Sequence, residues 1–122
     1  HMPFQYVLAN LLAAHPDALG VIFLDDAGET IDLASVEYPP FDLQVLGAYL
    51  GIYLRQLGEL TERSDAGSPR FVHIELANAH LYITALPDGY YLAMVQRSRG
   101  IPAATTRSLN HAAEELRREV FS

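Results

Sequence analysis

From Phe41 to Ser64 the chain reads FDLQVLGAYLGIYLRQLGELTERS, a helical pattern that carries Gly47, Gly51 and Gly58 in its interior. Each glycine weakens a helix by about 1 kcal/mol relative to alanine, so three of them need a structural reason. At 3.6 residues per turn they fall on one narrow stripe with Leu54. Beside the stripe, Leu43, Leu46, Leu50 and Leu57 run into Tyr53, Leu60, Tyr49, Val45 and Ile52. Together they spread the apolar surface over an arc of roughly 200°. An ordinary surface helix needs only about 100°. Such a helix covers a sheet with one side and has a second side left to bury.

The rest of the chain supplies that sheet. Phe4, Val7, Leu8, Leu11 and Leu12 keep the spacing of one helical face, and His15-Pro16-Asp17 ends the run. LGVIFLDDAGETIDLAS is an apolar run, a turn at Asp26-Ala27-Gly28-Glu29, and a segment in which Ile31 and Leu33 alternate with polar neighbours. That is a hairpin with its first strand the more buried. Pro39-Pro40 leads into the glycine-striped helix, which closes at Ser64-Asp65-Ala66-Gly67. RFVHIELA, HLYITAL and YYLAMVQ follow, joined by short connections at Asn78 and at Pro87-Asp88-Gly89, the pattern of an antiparallel meander. In the first of these, Val72, Ile74 and Leu76 share one face and Phe71, His73 and Glu75 the other. Both faces of the last two are largely apolar, so the sheet should be covered on both sides. Leu109, Ala112, Ala113, Leu116 and Val120 mark a final helix whose wet side is Glu114, Glu115, Arg117, Arg118 and Glu119. The expected order is α-β-β-α-β-β-β-α, a single α+β domain over 3–121 with one five-stranded antiparallel sheet and helices on both faces. His1 and Met2 read as the remnant of an expression tag.

Composition narrows the function classes. A formal charge of −7 with only eight Lys and Arg argues against nucleic acid as a partner, which needs clustered cations. No run of 18 uninterrupted apolar residues is present, so no membrane insertion is expected, and without a basic-apolar leader the cytoplasm is the expected location. The absence of cysteine removes disulfides, thiolate zinc sites and a thiol nucleophile.

Catalytic constellations are sparse. His73, Glu75 and His80 could meet across a hairpin as metal ligands, yet that spacing on a strand reads as a half-exposed polar face. Asp25, Asp26, Glu29 and Asp32 form an acidic turn that reads as solvated rather than cation-binding. Ser98 or Ser108 with His111 lacks an orienting group and an oxyanion hole. No phosphate loop or dinucleotide fingerprint occurs. No cofactor, no metal and no enzymatic activity are expected. Tyr49, Tyr53, Tyr82, Tyr90 and Tyr91 are candidate interface anchors, or core rings with their hydroxyls at the rim.

The element order, the GVIFLDDAGETI hairpin, the glycine-bearing central helix and DGYYLAMVQRSRGIPAATTRSLNHAAEELRREV together resemble the Roadblock dynein light-chain family. That family has a profilin-like fold and includes bacterial regulators of Ras-like GTPases of the mutual-gliding-protein B type. The run Ala112-Ala113-Glu114-Glu115-Leu116 fits its last helix, whereas Arg99-Gly100-Ile101-Pro102 departs from its usual leucine-rich link. The resemblance implies a homodimer in which third strands pair edge to edge and central helices lie side by side. The interface would then use Gly47, Tyr49, Gly51, Tyr53, Leu54 and Gly58 of the helix with Phe71, Val72, His73, Ile74 and Glu75 of the strand. It also implies a non-enzymatic scaffold that binds and regulates a small Ras-like GTPase, with Gln44, Arg55, Gln56, Glu59 and Arg63 as the polar docking positions. An arginine finger could come from Arg55, Arg63, Arg97 or Arg99. The rival expectations are an adaptor that tethers a cargo or sensor complex, and a small acidic secretion chaperone.

Overall fold

A computed structural model describes residues 3–97 and 102–121 of the chain. The first hairpin shows how its turn is set by sequence. Asp25 Oδ1 accepts from the backbone nitrogens of Ala27 and Glu29, each at 2.9 Å, and Gly28 takes φ 80°, where a side chain would be strained. The carboxylate of Asp25 is thus spent on its own turn. On either side lie β1 (Ala18–Leu24) and β2 (Thr30–Ser35), with β1 nearly all buried and β2 mostly half-buried.

The remaining elements are α1 (Pro3–Ala14), α2 (Pro40–Arg63), β3 (Phe71–Glu75), β4 (His80–Ala85), β5 (Tyr91–Gln96) and α3 (Pro102–Phe121). The strands form one sheet in the order β2-β1-β5-β4-β3, and every neighbouring pair is antiparallel. Proline begins α2, where a missing N–H costs nothing, and Asp65 just beyond it takes the left-handed conformation (φ 60°) that ends helices.

Alternation along the strands separates two cores. Phe23, Tyr82, Leu92 and Met94 face α1 and α3 and pack with Leu8, Leu11, Leu109 and Leu116. Ile22, Leu24, Leu81, Ile83 and Val95 face α2 and pack with Leu43, Leu50 and Leu54. The expected α+β architecture, with helices on both faces of a five-stranded sheet, is the one found.

Tyr82 is fully buried in the first core, and its hydroxyl has no hydrogen-bond partner. Burial, and then the nearby Glu75 carboxylate, hold its ionisation above the ordinary phenol value of 10.0. The folded state therefore keeps the proton that the unfolded chain releases near pH 10, and stability is lost as pH rises above that value. Tyr82→Phe is expected to leave stability at pH 7 unchanged or up to about 1 kcal/mol higher. It should also flatten the decline in melting temperature between pH 9.5 and 11.

The two sheet edges differ. At β2, the side-chain amide of Gln5 donates to Asp32 Oδ1 at 2.9 Å and to the Leu33 carbonyl at 3.2 Å, while Asp32 Oδ1 also accepts from the Leu33 nitrogen at 2.8 Å. The backbone groups of Leu33 at that edge are thus bonded within the protomer. At β3, the outward backbone groups of Phe71 and His73 carry no such cap among the described residues.

Candidate functional site

The hydrogen-bonding parity of β3 follows from the bonds at its two ends. Leu76 N donates to Ala79 O at 2.8 Å, and Ala85 N donates to Arg70 O at 3.0 Å. In an antiparallel ladder such bonded pairs alternate with unbonded ones. Arg70, Val72, Ile74 and Leu76 therefore point their backbone groups at β4. Phe71, His73 and Glu75 point theirs outward, into the free edge. A strand of this kind, apolar and without proline or lysine, is a template for another strand.

Next to that edge lies an apolar surface. α2 packs most closely on β1 and β2, which leaves the α2 side of β3 the least covered part of the sheet. Val72 there is half-buried and Ile74 is exposed. On α2 itself Tyr49, Ile52, Tyr53, Leu57 and Leu60 are exposed, Tyr53 and Leu60 by about 60%. The Tyr49 and Tyr53 rings stack at 6.3 Å. The flank of the helix bearing Leu46, Leu57 and Tyr53 is opposite the flank bearing Arg55. Arg55 Nη2 donates to the Asp26 carbonyl at 3.2 Å, in the turn between β1 and β2. The apolar flank is therefore the one turned toward the β3 side.

The glycine stripe does something other than expected. Gly47, Gly51, Leu54 and Gly58 are buried inside the protomer. A Cβ on Gly51 would stand 2.6 Å from the Gly28 Cα, and one on Gly47 would stand 2.8 Å from Leu24 Cδ2. At Gly58 the nearest atom is Pro69 Cδ at 3.6 Å. The stripe lets α2 sit on its own sheet and hairpin turn. These four positions are buried within the protomer, where the sequence expectation had them in a helix–helix contact. Tyr49, Tyr53, Phe71, His73, Ile74 and Glu75 are exposed, and Val72 is half-buried. Of the other tyrosines, Tyr82 is core, and Tyr90 and Tyr91 pack half-buried against the two clusters.

Gln44, Arg55, Gln56, Glu59 and Arg63 are all exposed along the polar side of α2. Arg55 differs from the rest through its bond to the turn. Arg97 pairs with Glu37 at 2.6 Å. Ser98, Arg99, Gly100 and Ile101, with His1 and Met2, lie outside the described residues.

The candidate chemistry resolves into local contacts. His73 Nε2 lies 2.9 Å from His80 Nδ1, and the His73 ring stacks on Tyr82 at 4.4 Å with planes 8° apart. Among the described residues no group of three or more His, Asp or Glu converges as a metal site. His111 is largely exposed and pairs with Glu115 at 3.5 Å. No helix among the described residues is long and apolar enough to cross a membrane.

Sequence reasoning found the edge strand and the apolar arc but missed the parity of β3 and the Gln5 cap on β2. The cap joins residues 27 apart in sequence, and no local pattern signals it.

This architecture has solved counterparts. MglB from Myxococcus xanthus superposes with a TM-score of 0.85 at 19% identity, covering 95% of this chain and 93% of that one. A Roadblock/LC7 domain from Streptomyces avermitilis gives 0.85 at 16% identity, covering 96% and 97%. Profilin II from Acanthamoeba castellanii is more distant, at 0.60 and 17% identity over 96% and 98%. The chain has a Roadblock/MglB-type fold. Neither protein-family models nor curated protein sequences give a match to it.

Proposed function

We propose that the protein is a homodimeric, non-enzymatic scaffold that binds a small Ras-like GTPase in the cytoplasm and regulates its nucleotide cycle. The observation that carries this reading is the adjacency of two unsatisfied surfaces. The outward backbone groups of β3 lie beside the exposed apolar flank of α2, so one twofold association would cover both. Similarity of fold to MglB supports the choice of partner class. A regulator of this kind needs no nucleotide site of its own. It can hold the switch loops of the GTPase in the arrangement competent for hydrolysis, which is a shift of population.

Binding to a Ras-like GTPase from the same genome is then expected to depend on nucleotide, because the switch loops report the γ-phosphate. Calorimetric titration should give at least about tenfold tighter binding to the GTP-analogue form, equivalent to about 1.4 kcal/mol. Arg63→Glu is expected to weaken that complex and leave the dimer intact. Arg63 is a cleaner test than Arg55, whose guanidinium also holds the hairpin turn. Equal affinity for both nucleotide forms would favour an adaptor that tethers a complex without touching GTP turnover. The purified protein alone should release no phosphate from GTP.

A further inference from the structure

The edge strand that forms the proposed seam is held in the sheet by β4 alone. At its midpoint, His73 Nε2 and His80 Nδ1 are 2.9 Å apart, with ring centroids at 5.1 Å and planes within 29°. Those three values place the rings edge to edge and close to coplanar, with the two nitrogens facing each other. The contact is a hydrogen bond in which one nitrogen donates and the other accepts. A neutral pair satisfies it, and so does a pair carrying one extra proton. A pair carrying two cannot, because both facing nitrogens then bear hydrogen.

His80 is only 7% exposed and sits between the neighbours on its strand, so the exposed His73 is the ring free to move. Glu75, the cross-strand neighbour of His80, shares the face and is acidic. Tyr82 presents its ring to His73, and β5 presents the Gln96 amide opposite His80. The sheet-facing side of α3 contributes Thr105, Leu109, Ala112, Ala113 and Leu116, none of them titratable. Among the described residues of β3, β4, β5 and that side of α3, Glu75 is the single acidic group on this face.

We propose that the His73–His80 pair makes self-association through β3 acid-sensitive. Two protons on the pair open it at the centre of the seam strand. This inference rests on the reading of β3 as the dimer seam. If two copies of the five-residue strand pair antiparallel with full overlap, His73 also falls opposite its own counterpart. Like charges placed directly opposite in a ladder are destabilising, so acid acts twice at the same position. Separation relieves the two N–H groups that face each other in the pair and parts the two His73 side chains, so acid favours the separated state.

The test is the dimer dissociation constant of the full chain, measured by sedimentation velocity at pH 7.5 and pH 5.5, with far-UV circular dichroism confirming the fold at both. The ratio of the two constants is expected to be about tenfold or more, since histidine changes charge across this window. In His73→Gln the ratio should fall toward one, and in His80→Gln it should fall but keep the part that comes from His73 facing its counterpart, whatever each substitution does to affinity at pH 7.5. If His80→Gln does not fold, His73→Gln carries the comparison. An unchanged constant in the native protein at pH 5.5, or an equally large ratio in the variants, overturns the proposal. A native protein that is monomeric at both pH values is a failure of the dimer reading instead. Amide exchange at Val72 and Ile74, whose N–H groups face β4, then decides whether acid still opens the pair, and unchanged protection there overturns it too.

Discussion

Replacing Gly51 with alanine is expected to lower the stability of the protomer by about 2 kcal/mol, despite alanine being the better helix former. The new methyl would sit 2.6 Å from the Gly28 Cα. Backbone cannot swing aside as a side-chain end can, and Gly28 is itself fixed at φ 80° by the turn. The helix or the hairpin must move, and with it the core residues Leu50 and Leu54 on either side. At Gly47 the atoms in the way are the far ends of Leu24 and Ile22, at 2.8 and 3.0 Å, so alanine there should cost less. At Gly58 the nearest atom is at ordinary contact distance, and alanine should stabilise by up to about 1 kcal/mol. Urea titrations of the three variants would show that order. Three variants that fold equally well but dissociate the dimer would instead place the stripe between two helices.

The second large effect is a contrast between neighbouring prolines on β3. Ile74 points its N–H at β4, whereas His73 points its own out of the sheet. Ile74→Pro should break the β3–β4 ladder and reduce protomer stability by about 1–3 kcal/mol. His73→Pro leaves the β4-directed bonds in place, and proline is tolerated where an edge strand faces outward. It does remove the His80 hydrogen bond and the ring stacked on Tyr82, a loss of about 1 kcal/mol to the protomer. Its main effect should be on association. With full overlap it deletes a central donor from each copy, and the dissociation constant should rise by about a hundredfold. Sedimentation velocity, read against thermal melts of the same samples, separates the two effects. A His73→Pro variant that remains as dimeric as the native protein would move the seam away from β3.

These contrasts show which information the sequence holds. Apolar spacing identified every helix and strand, because period 3.6 and period 2 are imposed by backbone geometry whatever the tertiary context. The same spacing placed Gly47, Gly51 and Gly58 on one stripe. It could not say which layer the stripe meets, since a face is a local property and its partner is not. Gly28, the residue that requires Gly51, is 23 positions away in a different element. His73 and His80 were recognisable as neighbours across a hairpin, but ring orientation decides between a chelate and a hydrogen bond, and that depends on register. The parity of β3 likewise turns on one bonded pair, Leu76 with Ala79. The polar positions on α2 remained legible only as an exposed face, because solvated and docking side chains obey the same pattern.

The central claim is that the bare edge of β3 and the apolar flank of α2 are covered by a second copy of the chain. Multi-angle light scattering of the native protein at pH 7.5, from micromolar concentration upward, tests it directly. The expected mass is twice the 13.5 kDa of one chain. A mass of one chain persisting at the highest concentration would contradict the account.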